Sequence, residues 1–178
     1  MQPYIGSWDS QYFDGQIDDV RIYNRALGSN EVAQLYASEA VPPSITTQPY
    51  SVVAYAHSSA SFTAAVAGSE PLSYQWTFYG TNLTKSTNDS ITITNIQPAN
   101  LGTYKLQVSN PAGSVTSSAA TLFMYPYINT PFAGAVTYWG QSNTFSVGAW
   151  GNYLQYQWYL DGVEVPNATS PTLILPAI

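Results

Sequence analysis

The sequence predicts an all-β chain organised around a two-layer sandwich. Three observations carry that prediction. Apolar and polar residues alternate over short runs, the period of a strand with one face on a core. Clusters of turn-forming residues separate the runs. The pattern is also written twice: "SYQW" at residues 73–76 returns as "QYQW" at residues 155–158, with Trp76 and Trp158 82 residues apart.

The elements follow in chain order. "QIDDVRIY" at residues 16–23 is read as a strand. "SNEVAQLYASE" at residues 29–39 is read as a short helix, because Val32, Leu35 and Tyr36 fall at helical spacing behind Asn30 and Glu31. "SEAVPPS" is a linker, its two prolines extending the backbone and limiting hinge freedom. Four strands then place Phe62, Ala64 and Val66, then Tyr74, Trp76 and Phe78, then Ile91 and Ile93, then Tyr104, Leu106 and Val108 on core-facing sides. Turn signals stand between them at residues 68–71, 79–82 and 110–113. Past a second, shorter junction at "MYPY", the pattern restarts. Phe145 stands opposite Phe62, Leu154 opposite Leu72, Leu173 opposite Ile91 and Leu175 opposite Ile93, always 82 or 83 residues on. A fixed long period of this kind means two copies of one domain. The expected limits are 1–40, 41–124 and 125–178.

Trp76 stands 14 residues after Phe62, and "ANLGTYKL" follows at residues 99–106. On these, residues 43–125 resemble the immunoglobulin-like family, with Trp76 similar to its buried strand-C tryptophan and "ANLGTYKL" to its Asp-x-Gly-x-Tyr-x-Cys run. The resemblance implies that the Tyr104 hydroxyl bonds back to upstream backbone. The Asp position is Asn100, which keeps a side-chain acceptor. The two cysteine positions are Phe62 and Leu106, so apolar packing with Trp76 replaces a disulfide that typically contributes roughly 2–5 kcal/mol. "PLSYQW" and "VSNPAGSVTS" are closest to the disulfide-free bacterial type. The second copy carries Trp158 as its strand-C tryptophan, and strands F and G of that copy are not found before Ile178. That predicts an open edge beside Trp158 and self-association through it.

Phe13, Gly15, the run from Ile17 to Leu27, Glu31, Val32, Leu35 and Tyr36 form a pattern within the first 36 residues. That pattern resembles the C-terminal end of laminin G-like, concanavalin A-type jelly-roll domains. Gly28 departs from the usual serine, at a cost of a few tenths of a kcal/mol for the helix cap. The expected fold class is therefore an immunoglobulin-like β-sandwich, flanked by a jelly-roll C-terminal fragment and a shortened second sandwich. The two flanking pieces are expected to be parts of domains and marginal in stability.

Composition excludes whole classes of function. The 178 residues carry a net charge of −6 and four Lys plus Arg. Nucleic acid and anionic membrane surfaces need clustered cations, so neither is expected as a partner. No apolar run reaches the roughly 18 residues of a membrane span. With no cysteine there is no thiolate zinc site and no Cys nucleophile. Only 8% of residues are charged, which suits a neutral, extracellular or cell-surface location.

Candidate chemistry is sparse. Asp14, Asp18 and Asp19 form the densest acidic cluster, for which a calcium site competes with the favoured reading of turn capping or pairing with Arg21 or Arg25. Neighbours on a strand point to opposite faces, so Asp18 and Asp19 do not share a metal, and no metal or cofactor is expected. His57, the single histidine, sits in a polar loop without a Ser-His-Asp order around it. Tyr138, Trp139 and Trp150 are the candidate ligand contacts, since exposed aromatics stack on sugars or anchor partners. For Trp150 the competing reading is a loop aromatic packed on its own domain. Trp76, Trp158, Tyr104, Phe62 and Leu106 are structural. Together these readings imply a non-catalytic segment of a large secreted or cell-surface modular protein. Its partner would be carbohydrate or a surface protein, and its repeats would act as spacers. The alternative is a set of accessory modules of an extracellular polysaccharide-degrading enzyme whose catalytic domain lies elsewhere.

Overall fold

The computed structural model describes residues 7, 8, 11, 12, 20–134, 136 and 138–177. The chain divides into two compact units, residues 1–36 and 37–178. In the first, strands β1 (Ser7–Trp8) and β2 (Gln11–Tyr12) pair antiparallel. Helix α1 (Ser29–Glu39) follows. Its start is held without a serine cap: the Gly28 N–H donates to the Glu31 carboxylate at 2.9 Å, and Glu31 also pairs with Arg25. That is half of a capping box, made by the acid alone. The strand expected over residues 16–23 is corrected in part. Residues 16–19 lie outside the described residues, and residues 20–23 join no ladder. A strand is defined by its neighbour, and alternation alone does not supply one.

The first sandwich comprises β3 (Ser44–Thr47), β4 (Val52–Ala54), β5 (Ala60–Thr63), β6 (Ala65–Ala67), β7 (Ser73–Phe78), β8 (Thr81–Asn82), β9 (Ser90–Ile93), β10 (Gly102–Asn110), β11 (Gly113–Thr116) and β12 (Ala120–Met124). One sheet runs β4-β12-β10-β7-β8, with β11 also on β10. β4 joins β12 in parallel, and the other pairs in this sheet are antiparallel. The opposite layer holds the β3–β6 and β5–β9 pairs. Between the layers lie Phe62, Trp76, Ile96, Tyr104, Leu106, Val108, Leu122 and Met124, each at most 2% exposed. Phe62 stacks on Tyr104 at 4.9 Å and meets Trp76 at 6.2 Å. The Tyr104 hydroxyl donates to the Asn100 carbonyl at 2.7 Å, and the Asn100 side chain accepts from the Gln97 N–H at 2.9 Å. The Tyr104 hydroxyl thus bonds back to upstream backbone, and Phe62, Leu106 and Trp76 lie buried together between the layers.

The second copy contributes β13 (Tyr127–Thr130), β14 (Asn143–Ser146), β15 (Gly148–Trp150), β16 (Tyr159–Leu160), β17 (Val163–Glu164) and β18 (Thr172–Leu175). Its ladders repeat those of the first in register. Phe62 faces Ile91 across β5–β9, and Phe145 faces Leu173 across β14–β18. β13–β15 even repeats the irregularity seen in β3–β6, one residue skipped at Asn129 and at Thr46. The repeated Tyr-Gln-Trp motif has a mechanical role in both copies. Gln75 donates its side-chain amide to the carbonyls of Trp76 and Leu83, and Gln157 does the same to Trp158 and Val165. The indole N–H of Trp76 reaches the Asn88 carbonyl at 3.0 Å, and that of Trp158 reaches Ser170 at 2.8 Å. The Tyr-Gln-Trp wording thus ties its own strand to the two segments that follow it. Trp158 is nonetheless only half-buried, whereas Trp76 is fully buried.

Candidate functional site: the junction between the repeats

Two residues, Tyr125 and Pro126, separate the end of β12 from the start of β13. The short link brings groups of both copies together. The Met124 N–H donates to the Asn152 side-chain oxygen at 2.8 Å, and the Asn152 N–H donates back to the Met124 carbonyl at 3.1 Å. The Tyr125 N–H is bound to the Ala54 carbonyl at 2.9 Å, so the link leaves the first sandwich still in ladder geometry. Gly151 permits the close approach. Its φ is +140°, and a Cβ there would lie 3.0 Å from the Pro126 Cα. Gly68 repeats this against Pro43, at φ +154° and 2.9 Å. The fastener is repeated too: the Val41 N–H donates to the Ser69 hydroxyl and the Ser69 N–H to the Val41 carbonyl.

An aromatic cluster covers one side of this junction. His57 meets Tyr127 edge-on at 5.4 Å and Trp150 at 5.8 Å, and Tyr127 meets Trp150 at 5.9 Å. His57 is in the left-handed region, φ 62°, and its Nδ1 is paired with the Asn95 side-chain oxygen at 3.1 Å. Trp150, read from the sequence either as a ligand contact or as a loop aromatic packed on its own domain, sits at the junction. It closes strand β15, is half-buried, and packs on the core of the first sandwich. It stands where the first copy has Ala67, so the larger side chain fills the step between repeats. A second aromatic group flanks the link: Tyr55 stacks on Tyr125 at 4.7 Å, and Phe123 meets Tyr153 at 6.3 Å.

Tyr138 and Trp139 lie elsewhere, 77% and 88% exposed. With Gly140, Gln141, Asn143 and Leu175 they line a shallow pocket of about 250 Å³. Apolar ring faces beside amide side chains form a surface able to stack on and hydrogen-bond a polar ring. The structure does not bring this pair together with Trp150.

Among the described residues no group of three or more His, Cys, Asp or Glu is placed to hold a metal ion. Asp14, Asp18 and Asp19 lie outside them. Among these residues no helix is long and apolar enough to cross a membrane. Burial raises the Tyr104 phenol above its ordinary range, assisted by Tyr79, which keeps it a neutral donor to Asn100. Sequence reasoning missed the fasteners at Ser69 and Asn152 and the packing role of His57. The identical placement of Gly68 and Gly151 was the available signal.

Comparison with known proteins agrees with this geometry. The immunoglobulin domain family matches residues 42–110. A laminin G-type family of the concanavalin A-like lectin/glucanases superfamily matches residues 2–33. The muscle M-line assembly protein unc-89 of Caenorhabditis elegans is 34% identical over 88 residues, a match covering 44% of this chain and 1% of that protein. A solved tandem pair of titin immunoglobulin domains superposes with a TM-score of 0.55 at 15% identity, covering 79% of this chain and 84% of the titin fragment. The chain thus has the immunoglobulin-like β-sandwich fold, with immunoglobulin-domain similarity over residues 42–110 and laminin G-type similarity over residues 2–33.

Proposed function

We propose that this chain is a non-catalytic modular segment whose immunoglobulin-like repeats form a stiff spacer within a larger secreted or cell-surface protein. Its modules are residues 1–40, 41–124 and 125–178. The observation that carries the reading is the reciprocal Met124–Asn152 fastening across a two-residue link. A freely jointed pair would need neither the fastener nor the packed Trp150. The exposed Tyr138–Trp139 pair is the surface this spacer would present, and carbohydrate or a surface protein is its partner. Location outside the cell rests on the 8% charge content and the neutral polar surface it implies. The accessory-module reading draws on the match of residues 2–33 to a superfamily that includes glucanases.

Backbone ¹⁵N relaxation on the full chain tests the spacer. The amides of residues 44–124 and 127–175 are expected to report one rotational correlation time. Asn152→Ala and Trp150→Ala are expected to split it into two. Two independent times in the unaltered chain refute the spacer. For the presented surface, intrinsic fluorescence titrated with soluble polysaccharides should respond in the unaltered chain and not in Trp139→Ala.

A further inference from the structure

Residues 40–69, 90–104 and 106–160 hold no Asp, Glu, Lys or Arg. His57, the single histidine of the chain, stands inside the first of these stretches. The elements packed around it all come from them: its own loop at residues 55–58, residues 95–97, β13 and β15. The ionisable groups on those elements, besides His57, are the phenols of Tyr55 and Tyr127. Phenols ionise far above neutral pH, whereas histidine ordinarily changes charge between about pH 5 and 8. The junction between the repeats therefore has one group able to gain a charge near neutral pH.

The placement of that group gives the charge something to act on. His57 is exposed on one side, so its ring exchanges protons with solvent. On the other it meets Tyr127 at 5.4 Å and Trp150 at 5.8 Å. Both distances fall within the roughly 6 Å over which an aromatic ring attracts a cation. The ring is held from behind. The His57 N–H donates to the Ile96 carbonyl at 2.9 Å, and the Ile96 N–H donates to the Ser58 carbonyl at 3.0 Å. Nδ1 lies 3.1 Å from the Asn95 side-chain oxygen, which can only accept. One neutral tautomer supplies the hydrogen for that bond, and the imidazolium always supplies it. Protonation thus keeps the ring in place and sets a positive charge beside two aromatic rings of the second copy. No charged side chain on these elements competes for it.

We propose that His57 is a pH-sensitive latch, whose protonation draws Tyr127 and Trp150 onto the first copy and stiffens the junction in mildly acidic surroundings. The latch rests on the reading of the junction as part of a stiff spacer, and adds the condition that regulates it.

The test uses ¹⁵N relaxation of the full 178-residue chain at about pH 5.5 and about pH 8. Asn152→Ala removes one of the two fastening bonds and brings the share of the latch into view. In that variant two correlation times are expected at the higher pH. Their separation is expected to shrink at the lower pH, as the open population falls about two- to fivefold. Adding His57→Asn is expected to leave the separation equal at both pH values. Asparagine suits the left-handed backbone at φ 62°, so the loop keeps its course. A separation in Asn152→Ala that does not change with pH, zero included, overturns the latch. So does a separation that grows in acid, or a pH response that survives His57→Asn. The spacer is refuted separately, by two correlation times in the unaltered chain at the higher pH. The latch is then read in that chain itself, by the same loss of separation in acid.

Discussion

One phenylalanine stands in two environments, and deleting it from each gives a controlled experiment. Phe62 is 1% exposed, stacked on Tyr104 at 4.9 Å and set against Trp76 at 6.2 Å. Phe145 holds the same register position but is half-buried, its ring in contact with Phe132 at 6.0 Å. Truncating a fully buried phenylalanine to alanine costs about 3–5 kcal/mol, part transfer and part cavity. Phe145→Ala leaves no closed cavity and loses only the transfer share, about 1–2 kcal/mol. Small domains are stable by about 5–15 kcal/mol, so the first change consumes a large fraction of the total and the second a small one. Urea denaturation followed by resolved amide resonances of each copy reads the two separately. With a slope of about 2 kcal/mol per molar urea, Phe62→Ala should lower the midpoint of the first sandwich by roughly 2 M. Phe145→Ala should leave that midpoint within about 0.3 M. If Phe62→Ala does not fold, Phe62→Leu keeps most of the volume and should cost no more than about 1.5 kcal/mol. Equal shifts from the two truncations, each read in its own copy, would refute the argument that β10 is what completes the core.

Three further outcomes follow from named contacts. Tyr104→Phe removes the 2.7 Å hydrogen bond to the Asn100 carbonyl and should lower the stability of the first sandwich by about 1 kcal/mol in the same urea assay. Gly151→Ala places a Cβ 3.0 Å from the Pro126 Cα at a φ of +140°, and backbone strain of this kind costs about 1–3 kcal/mol. It should shift the amide resonances of His57 and Asn95 across the junction, while Gly134→Ala, whose Cβ meets nothing within 4 Å, should not. Glu31 is held below the usual carboxylate range by Arg25 first and by the Gly28 N–H second. A carboxylate whose folded pKa is lowered stabilises in full above the unfolded value, and that contribution disappears as pH falls through the folded value. The first-turn amides of α1 should therefore be constant through neutral pH and loosen only in acid, and Glu31→Gln should abolish the acid step.

Legibility followed the physical range of each signal. The core of the first sandwich was readable because alternation fixes which side chains face inward, so Phe62, Trp76, Tyr104 and Leu106 could be named from their spacing. The hydroxyl bond of Tyr104 was legible only through the family resemblance carried by "ANLGTYKL", and it spans four residues, from Tyr104 to Asn100. Residues 20–23 misled because alternation shows that a segment suits a strand and does not provide the neighbour that makes it one. Trp150 left two readings open for a different reason. An aromatic near a turn has the same sequence signature whether it faces solvent or a second domain. Only the Met124–Asn152 fastening, 28 residues apart in the chain, decides which. Side-chain to backbone bonds of that span leave no period to read.

The repeated fastener places the stiffness proposed for the spacer in the repeat rather than in the linker. In the first copy Ser69 holds Val41, a residue 61% exposed and outside any sheet. The clamp there fixes only the entry of the chain. In the second copy Asn152 holds Met124, which is 1% exposed and part of the first core through β12. The same device, moved 83 residues along, now ties one sandwich to the interior of the one before it. Movement of the second copy must therefore break two hydrogen bonds and draw Trp150 off its packed face. A bond of this kind contributes about 0.5–1.5 kcal/mol net. The open state is thus held to a minor population by the fastener and the aromatic packing acting together. Neither proline nor linker length is needed for that result. Replacing Pro126 by alanine should therefore loosen the junction less than Asn152→Ala does, and the reverse order in the relaxation experiment would return the stiffness to the linker.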